Sequence, residues 1–339
     1  MKKIFFSLFA IAAIAACTKS EVAYEQPDAI GFQVVNGKMT KAAVEGTAYP
    51  EDLNMYVFAM TTDGNGSADY LDNAQFAKFS VAKDGTTNLW GGTPDPYYWP
   101  NVKKLHFAGV SKSGNVNNGA VPTYSAEKGI TIDGYECTPG AEVDGEPVEG
   151  DNDLMWFPKT QSSYGKGTEY VPVKMYHACS WITIKMAGDG WTAGKYTITD
   201  IHIEGLTTKG KVDLAATASW TLSTDQAYTG KQFDVFTGSN TLSKDATAEG
   251  FEDVENNTIV LPNQVPGTLS VTYEFDSQAE EIIKETVTGS LKYDAAGSVW
   301  QPGIHYTYTV TITASQILIA PTVDGWDTPT SGDFDVEVQ

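Results

Sequence analysis

Cys17 is the residue of this chain whose chemistry can be read from its neighbours alone. Lys2 and Lys3 open the sequence, an apolar run from Ile4 to Ala16 follows, and the small residues Ala15 and Ala16 abut the cysteine. A charged start, a short apolar stretch and small residues at the cut are the parts of a secretory signal. The run is too short for a bilayer, which takes about 20 apolar residues. Ile14-Ala15-Ala16-Cys17 resembles a bacterial lipobox, in which cleavage between Ala16 and Cys17 exposes a cysteine that is acylated, with palmitate among the chains. The expectation is a leader over residues 1–16, a polar tether over 17–28 beginning Thr18-Lys19-Ser20-Glu21, and a lipid-anchored extracytoplasmic protein after it. The alternative is an ordinary secreted protein that happens to carry a cysteine there.

Other constellations are weaker. Asp63, Asn65, Ser67 and Asp69 alternate as in a calcium loop, but Ala68 stands where such a loop needs glycine and Ala74 where it needs glutamate. A hairpin turn fits them better. The acids of Gly140 to Asp153 read as a solvated loop. His177 and Cys179, two apart, supply two ligands where a structural zinc needs four. His106, His202 and His305 each lie alone in strand-like runs and read as packing residues. With Cys17 lipidated, Cys137 and Cys179 read as small buried hydrophobes in different domains, with a disulfide as the alternative. The sequence shows no nucleophile elbow, metalloprotease helix or phosphate loop. No catalytic residue, metal or cofactor is expected.

Those residues must be carried by strands. Period-two runs rich in Val, Ile, Thr, Tyr and Phe recur at Leu53 to Met60, Leu105 to Val110, Val171 to Met186, Tyr196 to Glu204, Thr258 to Leu261, Leu269 to Phe275 and Tyr306 to Thr313. Turn chemistry separates them at Asp63-Gly64-Asn65-Gly66, Lys83-Asp84-Gly85, Ser113-Gly114-Asn115, Asp133-Gly134 and Asp294-Ala295-Ala296-Gly297. Ser277 to Glu285 reads as a hairpin connection. Short strands without crossover helices predict an all-β protein of antiparallel sandwiches. The polar, glycine-rich Gln161 to Glu169 suggests a boundary between a sandwich over 29–166 and another over 167–339. Tyr97-Tyr98-Trp99-Pro100 would stack on a sugar if exposed and anchor a strand if buried; burial is favoured by the area involved.

Composition excludes some partners. The formal charge is −21, and −23 once Lys2 and Lys3 leave with the leader. Such a surface repels nucleic acid and anionic head groups. All 22 basic residues are lysine, and without arginine the chain lacks the usual bidentate phosphate binder. A hydrophobic content of 41% and eight tryptophans supply real cores.

The ordered pieces resemble the fimbrillin family of pilin lipoproteins of Bacteroidetes. They are the lipobox, then Ile30-Gly31-Phe32-Gln33-Val34 leading to Thr40-Lys41-Ala42, then Tyr97-Tyr98-Trp99-Pro100 before Leu105-His106-Phe107-Ala108. Asp153-Leu154-Met155, Val173-Lys174-Met175-Tyr176-His177-Ala178 and Leu261-Pro262-Asn263 follow. Trp300-Gln301-Pro302-Gly303-Ile304-His305-Tyr306 with Tyr308, and Pro321-Thr322-Val323-Asp324-Gly325-Trp326, complete the set.

That resemblance implies two transthyretin-like sandwiches in tandem and a non-enzymatic fimbrial subunit at the cell outer membrane or in a surface fimbrium. It implies a lipoprotein precursor, exported through the periplasm, that loses its first strand to a protease; the groove so opened accepts a strand of another subunit. Its partners would be other fimbrial subunits, the outer membrane through lipid, and surface ligands of host or bacteria. The family's cut follows arginine; this chain offers Lys38 and Lys41 instead, or stays uncut as a basal anchor. Phe334, Val336 and Val338 share one face of a candidate donor strand, with Asp335, Glu337 and Gln339 on the other. The same segment is equally readable as a strand of its own sheet or a fraying terminus. A fimbrial tip or anchor adhesin and a surface glycan-binding lipoprotein are the competing functions.

Overall fold

Runs in which every second residue is apolar become strands, because successive side chains point to opposite faces. The computed structural model describes residues 28–35, 39–41, 44–46, 54–62, 66–78, 89–111, 120–137, 141–143, 146–148, 153–189, 195–242, 257–276, 282–293, 299–313 and 317–325. Every regular element among them is a β-strand. Leu105–Val110 falls where the sequence places it, and Lys195–Leu206, Thr268–Asp276 and Ile304–Thr313 agree with expectation to within two residues at each end.

The first sheet runs in the order Val171–Val173, Gly31–Val34, Leu89–Gly92, Leu71–Lys78, Met55–Thr61, Leu105–Val110, Met155–Phe157 and Tyr176–His177. Its two outermost strands are separated in the chain only by Lys174 and Met175, so the sheet curls back towards itself. One face lines the interior of the curl with Phe32, Val57, Phe76, Phe107, Met155 and Phe157. The opposite face carries Phe58, Met60, Val110, Trp156 and Tyr176 into a second core. There it meets Ile130, Ile132, Val212 and Leu214 of a sheet ordered Ala218–Leu222, Lys209–Leu214, Gly129–Glu136 and Thr123–Ser125. The Tyr124 ring stacks on Phe58 at 6.0 Å between the two layers.

Two further sheets form a sandwich. One is ordered Asn257–Val260, Ser180–Asp189, Ile304–Thr313 and Ile317–Gly325; the other Lys231–Leu242, Lys195–Leu206, Thr268–Asp276 and Ile282–Ser290. Ile182, Ile184, Tyr306 and Val310 on one side share a core with Ile198, Ile201, Val271 and Phe236 on the other.

The structure departs from the sequence expectations in several places. Most ladders are antiparallel, but Gly31–Val34 runs parallel to Val171–Val173, and Ser180–Asp189 parallel to Ile304–Thr313. Both pairs join strands far apart in sequence, where the intervening chain is long enough to return in the same sense. Asp133-Gly134 is no turn: it lies within Gly129–Glu136, where Gly134 at φ 85° lets the ladder slip, with Tyr135 opposite Gly210 and Asp133 opposite Lys211. It is a β-bulge, using glycine for its left-handed backbone. The acidic tract is not all loop, since Ala141–Val143 pairs with Glu146–Val148. The connection after Asp276 ends by Ile282, where the next strand begins.

Backbone pairing also crosses the 166/167 junction. Val171–Val173 and Tyr176–His177 join strands of the first half, and Lys209–Leu214 pairs with Gly129–Glu136. Within Gln161 to Glu169, Tyr164 exchanges two backbone hydrogen bonds with Leu105, at 2.7 and 2.9 Å.

Candidate functional site

Ile30, Phe32 and Val34 alternate with Gly31 and Gln33, so one face of this short strand is wholly apolar and all three side chains are buried. The strand is held on both edges. Phe32 lies opposite Trp90 in the antiparallel ladder and opposite Val171 in the parallel one. Beyond the ladders, Ile30 N–H donates to Tyr97 O at 2.7 Å, Trp99 N–H to Asp28 O at 3.0 Å and Val35 N–H to Val173 O at 2.9 Å.

The Phe32 ring sits in a cage of other rings. It meets Phe76 edge-on at 4.9 Å, Phe107 edge-on at 5.2 Å and Phe157 tilted at 5.9 Å. Burying side chains of this kind stabilises by roughly 1.5–3 kcal/mol each. Three of them weigh heavily against a typical total stability of about 5–15 kcal/mol. The strand thus fills a slot between Leu89–Gly92 and Val171–Val173, pairing with both.

The other face of the strand carries only Gly31, which is buried, and the half-buried Gln33. Gly31 lies opposite Gly91, and a Cβ on Gly31 would stand 2.9 Å from the Tyr170 ring. Ala29, Gly31, Gly91, Gly92, Pro96 and Tyr170 line an open cleft there.

Of the aromatic cluster, Trp99 is buried at 2% exposure and meets Phe107 edge-on at 5.7 Å, while Tyr98 is 37% exposed. Burial is thus the role of Trp99, and the segment clasps the slot strand through the Ala29–Tyr98 bridge. Lys41 ends the strand Met39–Lys41, which pairs with Val44–Gly46. Ala16, Cys17, Lys38, Phe334, Val336 and Val338 lie outside the described residues.

The histidines make local contacts. His106 Nδ1 is 2.8 Å from Thr160 O, and His305 stacks on Trp181 at 3.5 Å. His177 Nδ1 lies 3.0 Å from Asp153 Oδ1. His202 lies between Asp200 (Nδ1 to Oδ2, 2.7 Å) and Glu204 (Nε2 to Oε1, 3.0 Å). Burial pulls the His202 pKa down, but hydrogen bonds to both carboxylates and their charges outweigh it and hold it above the usual histidine value. This was legible as Asp-x-His-x-Glu, whose period of two places all three on one strand face. Asp69, once a calcium candidate, accepts from Thr61 N–H at 2.7 Å and from Thr61 Oγ1 at 2.5 Å, and these bonds keep its carboxyl below the usual range. Cys137 and Cys179 are free, buried and part of one core, not of two. Among the described residues no three His, Cys, Asp or Glu side chains are placed to hold a metal ion.

A sequence-family model described as fimbrillin-like matches residues 40–326. A fimbrial protein from Bacteroides vulgatus superposes with a TM-score of 0.59 at 17% identity, over 88% of this chain and 99% of that one. A candidate cell adhesion protein from Bacteroides uniformis gives 0.55 at 16% identity, over 88% and 98%. Another from Bacteroides ovatus gives 0.51 at 14% identity, over 89% and 99%. At these identities the likeness is one of fold. No curated protein matches the chain.

Proposed function

The chain belongs to the fimbrillin-like family, and from that premise we propose that it is a structural subunit of a cell-surface fimbria, joined to its neighbours by strand exchange. The family is structural and adhesive, not catalytic. In this reading the precursor is exported, cut before Cys17 and lipidated at the outer membrane. Proteolysis after Lys38 or Lys41 then releases the first strand, and residues 334–338 of another subunit take its place.

The observation that supports this reading most directly is the seating of Phe32. The strand bearing it precedes both lysines, so one cut separates it covalently from its cage. What remains is a slot with apolar walls and two strand edges, the arrangement that β-augmentation requires.

Two measurements test it. Surface-assembled protein should run as heat-resistant ladders on gels, and the ladders should vanish when residues 330–339 are deleted. The N-terminal residue of the assembled form should follow Lys38 or Lys41. An assembled protein that still begins at an acylated Cys17 would rule out strand removal. Assembly that survives the deletion would favour a tip or anchor position.

A further inference from the structure

Charge is unevenly spread along this chain. With 43 Asp and Glu among 339 residues, about one position in eight should be acidic. Residues 96–126 nevertheless contain no acid, and residues 154–188 contain one, Glu169.

The fold brings these two acid-poor stretches together. Tyr164 and Leu105 exchange backbone hydrogen bonds, Thr160 N–H donates to Phe107 O at 2.8 Å, and Phe107 N–H donates to Thr160 Oγ1 at 3.1 Å. Lys103, Lys104, Lys159 and Lys166 are exposed along this junction. A Cβ on Gly165 would stand 3.6 Å from the Lys104 stem. Lys174 is half-buried, with Nζ 5.1 Å from the centre of the Tyr176 ring. Five lysines thus gather on a molecule of net charge −23 without its leader. Glu169 lines the separate cleft beside Gly31, and Asp69 lies within electrostatic reach of Lys103.

A shallow groove crosses the patch at the seam of the curled sheet. There Val171–Val173 and Tyr176–His177 end the strand order without pairing to each other. Lys159, Thr160, Gln161 and Tyr164 line the groove together with Pro172 and Lys174. Its floor is Phe157, Val173 and Tyr176, all buried.

We infer that this groove binds an acidic glycan, a sugar chain bearing carboxylates, and gives the protein an adhesive site of its own. Lys159 and Lys174 supply ammonium groups to the carboxylates. An ammonium acts as a point charge and does not need the planar fork in which arginine excels. The Thr160 hydroxyl accepts from Phe107 N–H and keeps its proton to donate, while the Gln161 amide both donates and accepts, as sugar hydroxyls require. Tyr164 adds a half-buried ring with an apolar body and a polar tip.

An acidic protein would also satisfy the charge. Protein interfaces, however, lean on a bulky side chain seated in a desolvated pocket, and here the floor is already filled. The acidic remainder of the surface repels polyanions, so the patch is the face on which they arrive.

The probe is tetragalacturonate, with a carboxylate on every ring, titrated into the full chain at physiological ionic strength. Saturable binding that weakens as salt is raised is expected, with none to neutral maltotetraose. Lys159→Glu with Lys174→Glu should weaken binding by about tenfold or more, since each reversal turns attraction into repulsion. Lys195→Glu with Lys292→Glu makes the same change in net charge at exposed lysines of the other sandwich. That pair should alter binding by less than about twofold, because charges far from the groove are screened. Thermal midpoints equal to that of the unmodified protein show that the variants fold. If the first pair fails that check, Lys159→Gln with Lys174→Gln takes its place and should still weaken binding several-fold. No binding by the unmodified protein, or equal losses from the two pairs, overturns the site. Polyglutamate bound as tightly as tetragalacturonate would make the partner an acidic polypeptide and overturn the glycan. Single chains suffice for this titration, so its outcome is independent of whether strand exchange occurs.

Discussion

The rings of Phe32 and Phe107 meet edge-on at 5.2 Å although their strands lie four places apart in one sheet. In a flat sheet four strand spacings amount to about 19 Å. The contact therefore requires the sheet to curl, and Phe32 is where its two halves meet.

Phe32 should accordingly dominate the stability of the uncut protein. Phe32→Ala is expected to cost about 3–5 kcal/mol in chemical denaturation. Gln33→Ala, one residue along but facing outward, should stay within about 0.5 kcal/mol. Equal midpoints for the two variants would mean that the curled interior is not a core.

This cage illustrates what the sequence does and does not disclose. Strand positions such as Leu105–Val110 follow from local alternation, which depends only on neighbouring residues. The run from Val171 to Met186 looks continuous, yet it serves two sheets. Ala178 N–H donates to Leu154 O in the first, while Cys179 O accepts from Gly303 N–H beside the second. Periodicity records which face of a strand is buried and is silent about which sheet the strand joins. The same silence hid the cage, since Phe76, Phe107 and Phe157 come from three distant strands. Gly134 shows the converse: the sequence reads it as a turn, but a bulge and a turn make the same demand of one residue. The lipobox expectation rests on adjacent residues alone, and Cys17 lies outside the described residues.

Trp300 and Tyr308 form a buried pair in which the indole N–H donates to the tyrosine hydroxyl at 2.9 Å. Trp300→Phe strands the hydroxyl and Tyr308→Phe strands the N–H, and each is expected to cost about 1–3 kcal/mol. The double variant should cost less than the two single losses together, because neither polar group is then left alone. Strict additivity in a double-mutant cycle would show that the bond carries no coupling.

Asn263 stands in left-handed backbone at φ 61°, donating its N–H to Trp300 O at 2.7 Å and its Nδ2 to Trp220 O at 3.1 Å. Asn263→Gly keeps the backbone relaxed and loses only the side-chain bond, for about 1 kcal/mol. Asn263→Ala loses that bond and adds strain, so its thermal midpoint should fall further. If alanine proves the milder change, the backbone conformation is not what the position selects for.

His202 should make stability depend on pH in a definite direction. Its folded pKa is raised above the unfolded value because Asp200 and Glu204 favour the imidazolium, against the opposing effect of burial. Asp234 lies opposite it on one neighbouring strand and Ser270 on the other, so no fixed positive charge faces it from its directly paired neighbours. A group of this kind stabilises fully below its unfolded pKa, about 6.5 for histidine, and loses that contribution as pH rises through the folded value. His202→Gln should therefore lower the denaturation midpoint most at about pH 5.5, where both carboxylates are still ionised. Towards about pH 8.5 the variant and the unmodified protein should converge. Exposed pairs of this kind are weak, but the trend is what matters. A deficit that grows with rising pH would mean that the imidazole is held neutral, as an acceptor and not as the shared cation of two carboxylates.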